Sequence, residues 1–402
     1  MRYALLLFTA LLGACSSAGV QSGSADPADT AARVRALLAT TPLVDGHNDL
    51  PWAVRNFEQA PHDVVAYDLR TRTPGHTDIA RLREGSVGVQ FWSVYIPHNA
   101  IEEGAAKTQL EQIDIAHQII QRYPDVFELA LTSADAERIF RSGRIASTLG
   151  MEGGHAIENS LGALRAYYDL GVRYMTLTHS ANIDWADSCC ALREHGGLTA
   201  FGHEVVREMN RLGMLVDLSH VSGESMHDAL DVTEAPVIFS HSSARAVTDH
   251  PRNVPDDVLQ RLRQNGGVVM VTFVPSFINT EVMEWSQLPP TQRRETPAPS
   301  ATIADVIRHI EHVRDVAGID HVGIGADFDG IDSTPVGLED VSTYPALFAA
   351  LARRGWSDAD MRKLAGENAM RVWREAERVA NRLRQERPAS TATIEALDGT
   401  AR

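Results

Sequence analysis

The chain has 402 residues, 44% of them hydrophobic, with 53 acidic against 37 basic residues and a formal net charge of −16. This composition is that of a globular protein with material for a sizeable core, and the length fits one large α/β domain or two ordinary ones. An acidic surface repels phosphate backbones, and the sequence has no basic run with interleaved aromatic residues, so nucleic acid is not expected as a partner.

The first residues have the pattern of an export signal. Residues 1–14 give a positive start and a short apolar run, which ends in a Leu-Gly-Ala-Cys motif at Cys15. A run this short is typical of a signal peptide, because a membrane-spanning helix needs about 20 residues. The motif resembles a bacterial lipobox, which implies lipidation of Cys15 and membrane attachment facing the periplasm, with Ser16 favouring the outer membrane. A plain secretory signal is the alternative, and residues 15–30 are predicted to include a flexible tether.

Short apolar runs alternate with longer amphipathic stretches through residues 31–385. The runs predict eight strands, at 42–45, 87–95, 145–151, 171–178, 214–219, 237–240, 267–273 and 321–326. The stretches predict helices at 105–123, 160–170, 199–212, 255–264 and 303–317. This order is typical of an α/β fold, the (β/α)8 TIM barrel of the metal-dependent hydrolase type. A doubly wound open sheet is the competing fold, but it offers no reason for polar residues after nearly every strand.

The regions outside this repeat carry three further predictions. Helices are expected at 341–352 and 357–383, followed by a frayed tail over 386–402. The long segment 276–300 follows the seventh predicted strand and is predicted to be a lid or a subunit contact. Cys189 and Cys190 are predicted to be free thiols, because adjacent cysteines rarely reach relaxed disulfide geometry.

Acidic residues and histidines recur directly after the predicted strands. They are His47, Asp49, Glu152, His220, His241 and Asp327. Any one of them could be a packed core residue or a helix cap. Active sites of TIM barrels are built at the carboxyl ends of the strands, and this many unpaired acids and imidazoles in one place are costly without a cation. The recurrence therefore predicts a metal site.

The donor types favour zinc. Calcium and magnesium prefer all-oxygen shells, whereas zinc accepts imidazole and carboxylate together. The five ligand candidates, His47, Asp49, Glu152, His220 and His241, are too many for one tetrahedral zinc with an open position. Two ions that share a bridging carboxylate would use all five.

The same residues lie in motifs that resemble the membrane (renal) dipeptidase family of zinc peptidases, in a bacterial lipoprotein form. The resemblance covers residues 40–374 in the family's order. The motifs, with their first residues, are HNDLPW at His47, MEGGH at Met151, LTHS at Leu177, DLSHVS at Asp217, SHSS at Ser240, RNVPDD at Arg252 and GADFDG at Gly325.

The resemblance implies a role for each site residue. One zinc ion is held by His47, Asp49 and Glu152, and a second by Glu152, His220 and His241, with Glu152 bridging. His179 contacts the scissile carbonyl oxygen, Arg252 binds the free carboxylate of the substrate, and Asp327 moves the proton. His155 is expected beside the ligands without being one, Asp329 in support of its loop, and Asp45 in orienting the first ligand strand.

These roles form a coherent mechanism. Two zinc ions lower the pKa of a shared water from about 16 towards neutrality, which supplies a bridging hydroxide. His179 can stabilise the oxyanion, and Asp327 can deliver a proton to the leaving amine. The fork of Arg252 matches a carboxylate next to the cut bond, which explains a preference for dipeptides. The expected activity is therefore that of a binuclear zinc dipeptidase, and the resemblance also implies a homodimer.

Several alternatives stay open at this point. Another metal-dependent hydrolase, acting on a lactam or an N-acyl amino acid, would use a similar barrel. A non-catalytic metal-binding lipoprotein is a second alternative, although no expected residue is missing. A two-carboxylate glycosidase would use Glu152 and Asp327 but would have no use for the histidines. One departure from the family is Phe277, which lies where a loop of the animal enzymes carries a tyrosine, so the side-chain preference stays open.

Overall fold

The computed structural model of the chain describes residues 27–399, and within these residues the strands form one parallel sheet. The strands are β1 (Leu43–Asn48), β2 (Val87–Ser93), β3 (Phe127–Leu129), β4 (Ile145–Glu152), β5 (Val172–Thr176), β6 (Leu215–Asp217), β7 (Ile238–Phe239), β8 (Val268–Val271) and β9 (Val322–Ile324). Eight of them run in the order β2-β1-β9-β8-β7-β6-β5-β4, and β4 pairs back with β2 to close the ring. The predicted TIM barrel is confirmed.

Strand β3 is an addition to the predicted set. It pairs in parallel with residues 145–147, at the start of β4. On the same edge of β4, strand β5 pairs with the residues from 149 onward. With only three residues, it gives too short an apolar run to be recognised in the sequence. All residues of the eight ring strands are buried, as expected for a parallel sheet that is covered on both faces.

Helices surround the barrel. They are α1 (Pro27–Leu38), α2 (Leu50–Arg55), α3 (Ile79–Glu84), α4 (Ala105–Arg122), α5 (Ser133–Arg141), α6 (Leu161–Asp169), α7 (Ala200–Leu212), α8 (Gly223–Val232), α9 (Asp256–Asn265), α10 (Pro275–Ile278), α11 (Thr280–Gln287), α12 (Pro290–Glu295), α13 (Ile303–Ala317), α14 (Tyr344–Arg353), α15 (Asp358–Arg362), α16 (Asn368–Glu386) and α17 (Ile394–Asp398). A π-helical turn at Lys363–Glu367 joins α15 to α16. The helices predicted from the sequence are all present, with ends shifted by a few residues. Among the helices of residues 27–399, none combines the length and apolar character needed to cross a bilayer.

Both ends of the described chain are more ordered than the sequence indicates. Helix α1 begins at Pro27, so the end of the predicted tether at 15–30 is helical, and Val34, Leu37 and Leu38 are buried. The signal peptide and Cys15 lie outside the described residues.

The tail predicted to fray from residue 386 packs against α7 as far as residue 399. Ile394 is buried, and the Asp398 carboxylate accepts hydrogen bonds from the Thr199 hydroxyl at 2.6 Å and the Phe201 amide at 3.2 Å. The carboxylate therefore satisfies donors at the first turn of α7. The segment has one buried apolar residue and polar bonds to a helix that is distant in sequence. It therefore has no hydrophobic periodicity from which this packing could be predicted.

The segment 276–300 follows β8, the seventh strand of the ring, as predicted. It contains most of α10 and all of α11 and α12, and neither α11 nor α12 has a buried residue. Phe277 in α10 and Val274 just before it line the cleft at the mouth of the barrel. The segment thus borders the site, and its role as a lid or a subunit contact stays a prediction.

Candidate metal centre

The predicted ligands converge at the carboxyl-terminal mouth of the barrel. His47 lies at the end of β1, Glu152 is the last residue of β4, and His220 and His241 follow β6 and β7 within three residues. Asp49 comes directly after β1. Because the carboxyl ends of parallel strands meet on one side of the barrel, residues far apart in sequence become neighbours there.

Glu152 lies at the centre of the cluster. Its Oε1 is 2.9 Å from His220 Nε2 and 3.4 Å from His241 Nε2, and its Oε2 is 3.5 Å from His47 Nε2. His47 Nε2 is also 3.3 Å from Asp49 Oδ2. Two groups of three, one of His47, Asp49 and Glu152 and one of Glu152, His220 and His241, each keep their ligand atoms within 4.8 Å of one another. The two groups share Glu152.

The polar atoms of this cluster do not satisfy one another's hydrogen-bonding capacity. His47 Nε2 is buried without a hydrogen-bond partner, and His220 Nε2 faces His241 Nε2 at 2.8 Å, where the two ring nitrogens can share at most one proton. Buried polar atoms normally have a hydrogen-bond partner. The lone pairs of these ring nitrogens are therefore suited to bind a cation. Imidazole nitrogens and carboxylate oxygens are the donors that zinc prefers. The residues therefore fit a pair of divalent ions of the zinc type.

Two of the three candidate ligand histidines are held in the neutral form. Burial lowers the pKa of both His220 and His241 well below the usual value, which keeps their rings neutral. Burial alone would raise the pKa of Glu152, but the surrounding imidazoles, led by His47 and His179, lower it well below its usual value. The neutral rings of His220 and His241 are in the form that binds a metal. His47 differs, because Tyr174, Glu152 and Asp49 outweigh the effect of burial and raise its pKa well above the usual value, so a bound cation would displace a proton from this ring.

Asp327, the predicted proton carrier, lies on the edge of the cluster. It follows β9 by three residues, and its Oδ1 is 3.9 Å from His47 Nε2. Burial raises the pKa of Asp327 well above its usual value, so this carboxyl group can hold a proton that its neighbours cannot. Its ligand atom also lies within 4.8 Å of those of His47 and His241, so a role at the metal is compatible with its position.

The backbone near the cluster adopts strained conformations. His220 and Asp327 have positive φ angles of 68° and 71°, which are uncommon for residues with a side chain. Strain of this kind persists only where the surrounding structure imposes it, and it concentrates at functional sites. At Gly330 a Cβ atom would lie 2.3 Å from Asp49 Oδ2 and 2.7 Å from Asp327 Oδ1, so only glycine allows this loop to approach the carboxylates.

Two buried residues that the sequence analysis did not identify orient the ligand histidines. The Tyr174 hydroxyl lies 2.7 Å from His47 Nδ1. Ser240 Oγ lies 2.8 Å from His241 Nδ1 and donates to Asp217 Oδ2 at 2.6 Å. Contacts of this type fix a ring and direct its other nitrogen at a metal.

Asp217 is present in the motif DLSHVS, but its partners lie on neighbouring strands. Its carboxylate also accepts hydrogen bonds from the Thr176 hydroxyl and from the amides of Ser219 and Ser240. The signal available in the sequence was an acidic residue inside a predicted strand. This signal does not show that Asp217 orients His241 through Ser240.

Asp45, Asp329 and His155 lie where the sequence analysis expects, outside the two groups of three. Asp45 accepts from the amides of His47 and Ala326 and from the Tyr344 hydroxyl, which links β1 to the loop after β9. The Asp329 carboxylate accepts from the His76 amide at 2.6 Å. The ring of His155 is directed away, with Nε2 3.1 Å from the carbonyl oxygen of residue 96.

A cleft of about 380 Å³ opens onto the cluster. Its lining residues are Asp49, Trp52, Tyr95, Glu152, His179, His220, Arg252, Val274, Phe277, Asp327, Gly330 and Ile331. His179 follows β5 by three residues, and its Nε2 lies 3.8 Å from Glu152 Oε1. Burial lowers the pKa of His179, so its ring is neutral. Both predicted substrate contacts, His179 and Arg252, therefore lie in the cleft that contains the ligands.

Arg252 is a buried cation whose side-chain hydrogen bonds, within the described residues, go to uncharged groups only. Its guanidinium group donates to Ser242 Oγ at 3.2 Å and to the His241 carbonyl at 3.1 Å, and the Phe277 ring centroid lies 5.3 Å away. Among the residues whose side chains are described, Arg252 takes part in no ion pair, and its Nε has no hydrogen-bond partner. Because a buried charge is costly without a counter-charge, this arrangement is suited to an anionic ligand.

Comparison with known proteins assigns the family. A model of the membrane dipeptidase family (peptidase family M19) matches residues 31–387. The chain is similar to dipeptidase AC, a metallopeptidase of family M19, with 28% identity and a TM-score of 0.73 over 84% of this chain and 99% of that one. It is also similar to a Rhodobacter sphaeroides metallopeptidase solved with a phosphinate mimic of L-Ala-D-Ala, with 29% identity and a TM-score of 0.71 over 84% and 99%.

A third structure shares the fold. The probable dipeptidase PvdM from Pseudomonas aeruginosa has 22% identity and a TM-score of 0.79, over 88% of this chain and 100% of that one. The family predicted from the sequence motifs is confirmed. The chain belongs to the membrane dipeptidase family of metallopeptidases, peptidase family M19.

Proposed function

We propose that this protein is a binuclear zinc dipeptidase that hydrolyses the peptide bond of dipeptides with a free C-terminal carboxylate. The observation that carries the proposal is the pair of ligand groups sharing Glu152, in one cleft with the unpaired Arg252. The dipeptide mimic bound by the Rhodobacter sphaeroides relative supports the substrate class.

The two ions would be held by the residues that the geometry groups together. His47, Asp49 and Glu152 would hold one, and Glu152, His220 and His241 the other. When bound, zinc supplies Lewis acidity, which lowers the pKa of water and polarises a carbonyl group. Zinc needs neutral imidazole ligands, and the lowered pKa values of His220 and His241 match that need.

Two residues of the cleft supply the remaining acid-base and electrostatic functions. The Ser180 hydroxyl, 2.8 Å from His179 Nδ1, can donate to it, and this leaves Nε2 protonated and able to donate to the oxyanion that develops on the substrate. Asp327 accepts a proton at Oδ1 from the attacking water and delivers it to the departing amine nitrogen, a step that needs a carboxyl group with a raised pKa.

Arg252 sets the length of the substrate. A carboxylate bound by its planar guanidinium group would lie in the same cleft as the ligand cluster, so the residue after the cut bond would be the one that carries the free carboxylate. The apolar side chains of Val274 and Phe277 line the cleft beside it. A longer peptide would place an uncharged amide against a buried cation, at a cost in binding.

The place of action follows from the N-terminal motif alone. We propose that the chain is exported and held at the membrane through lipidated Cys15, facing the periplasm, most simply at the outer membrane. The lipobox-like ending at Cys15 is what supports this. Formation of a homodimer stays a prediction from the resemblance.

Replacing the bridging ligand tests the metal site. We expect the unaltered chain to hold about two zinc ions and to release both amino acids from dipeptides. Glu152→Gln should hold at most one ion and cleave at least about 1000-fold more slowly, because the amide cannot bridge two ions. Elemental analysis and amino-acid release measure the two effects.

The matched control for this variant is Glu158→Gln, an exposed glutamate in the same loop after β4, which should keep both properties. A Glu152→Gln chain with full zinc and full turnover would contradict the bridged site. Two zinc ions without peptide cleavage in the unaltered chain would leave the site intact and point to a lactam or N-acyl amino acid.

Substitution of Arg252 tests the substrate assignment. Arg252→Gln should raise KM for dipeptides by about 10- to 100-fold, since a charge-assisted pair is lost, and should abolish the preference over C-terminally amidated dipeptides. Arg252→Lys keeps the charge but loses the paired hydrogen bonds of the guanidinium group. Its KM and its preference for free dipeptides should therefore lie between those of the unaltered chain and of Arg252→Gln. The values of kcat and KM for free and amidated dipeptides measure both effects. Arg193→Gln, a change at an exposed arginine, is the control. An unchanged preference in Arg252→Gln would remove Arg252 from the substrate site.

Substitution of Asp217 tests the support of His241. Asp217→Asn should weaken zinc binding by about 10- to 100-fold, because the chain from Asp217 through Ser240 no longer fixes the ring. Ser240→Ala should act in the same direction with a smaller effect, and added zinc should restore turnover in both. Competition with a coloured chelator measures the affinity, and exposed Asp231→Asn is the control. Unchanged zinc affinity with lowered thermal stability would make the role of Asp217 structural only.

A further inference from the structure

Two adjacent thiols lie in the loop between β5 and α7, and the proposed mechanism uses neither. Cys189 is partly buried and Cys190 is exposed, and both are free cysteines. Their Sγ atoms lie 2.7 Å apart. The two sulfur atoms are therefore close to the distance of about 2.05 Å at which they form a disulfide bond.

The backbone around these thiols is bonded to two residues of the metal centre. The Cys189 amide donates to the His220 carbonyl at 2.8 Å. The Ser188 hydroxyl donates to the carbonyls of His179 and His220 at 2.6 and 3.2 Å, and it accepts from the Cys190 amide at 3.2 Å. A movement of residues 188–190 is thus transmitted to the backbone of a ligand and of the oxyanion donor.

Cys190 is the more reactive of the two thiols. The hydrogen bond from Cys189 lowers the pKa of the Cys190 thiol to about 7, and the positive charge of Arg252 acts in the same direction. The thiolate is the form that attacks a disulfide, and exposure allows a reagent to reach it. Cys189 is the more buried of the two thiols, so it is suited to react second.

We propose that Cys189 and Cys190 form a redox modification site that closes into a vicinal disulfide and slows the enzyme. The oxidant is a small-molecule disulfide. The Cys190 thiolate attacks one of its sulfur atoms, forms a mixed disulfide and releases one thiolate. Cys189 then loses its proton, attacks the Cys190 sulfur and releases the second thiolate. The pair gives up two electrons and two protons, and the oxidant is reduced to two thiols.

The ring would strain the loop. Adjacent Cα atoms are about 3.8 Å apart, whereas relaxed disulfides join Cα atoms about 4.4–6.8 Å apart. Closure therefore distorts the peptide between the cysteines and displaces the Cys189 amide from the His220 carbonyl. His220 already has a φ of 68°, so its orientation depends on such contacts. A strained disulfide is also readily reduced, which makes the modification reversible. The effect on turnover rests on the proposed dipeptidase activity, whereas ring formation does not.

The test uses the full chain with Cys15→Ser, so that all remaining thiols belong to the pair. After treatment with oxidised glutathione, thiol titration, intact mass and peptide mass are recorded, together with dipeptide cleavage. We expect loss of both thiols, a mass decrease of two hydrogen atoms, an internal link within the peptide that contains both cysteines, and about tenfold lower kcat/KM. Dithiothreitol should reverse all four changes.

Three variants serve as controls. Cys189→Ser and Cys190→Ser each keep one thiol and can form only a mixed disulfide. The double variant Cys189→Ala with Cys190→Ala should keep the turnover of the reduced chain with and without oxidant.

Two results would overturn the proposal. If the unaltered pair keeps both thiols or stops at a mixed disulfide on Cys190, no ring forms. If a ring forms without a change in kcat/KM, the link to the metal centre is wrong. A reduced chain that cleaves no dipeptide would contradict the proposed function, and the mass measurements would still decide whether the modification site exists.

Discussion

The site depends on one buried carboxylate, that of Glu152, shared between imidazoles on opposite sides. His47 approaches one oxygen, and His220 and His241 approach the other. This arrangement is possible because Glu152 ends β4, which pairs with β2 on one side and with β5 on the other. The closed ring brings the ends of β1, β6 and β7 around that point. Such a concentration of buried donors is unfavourable by itself and becomes favourable with cations.

Two further buried acids tie the strand ends together without joining the ligand cluster. Asp217 in β6 bonds to Thr176 in β5 and to Ser240 after β7. Asp45 in β1 bonds to the Ala326 amide and the Tyr344 hydroxyl. Each acid fixes the loop that carries a site residue, so the geometry of the cluster is set by hydrogen bonds between strands. In a mouth held in this way, the strained backbone at His220 and Asp327 can persist.

The sequence was informative wherever chemistry and spacing are local. The pair His47 and Asp49, two residues apart after an apolar run, predicted half of the site, and the repetition of polar residues after strands predicted the barrel mouth. Residues whose role depends on distant partners were not predictable. Tyr174 contacts His47 across 127 positions of sequence, and Asp217 acts through Ser240 on another strand.

The remaining differences between the predictions and the structure lie where the local sequence pattern is weak. Strand β3 is only three residues long, and the C-terminal segment has one buried apolar side chain, Ile394, with polar bonds to α7. The unpaired state of Arg252 is a property of its surroundings and cannot be read from an arginine in a motif. The clustering of the candidate ligands could therefore be predicted, whereas the supporting bonds and the surroundings of Arg252 required the structure.

Anomalous X-ray scattering at the zinc absorption edge, from crystals of the zinc-loaded chain, tests the central claim most directly. We expect two anomalous peaks on either side of Glu152, one in contact with His47 and Asp49 and the other with His220 and His241. A single peak, or peaks that do not contact Glu152, would contradict a site built on one shared carboxylate.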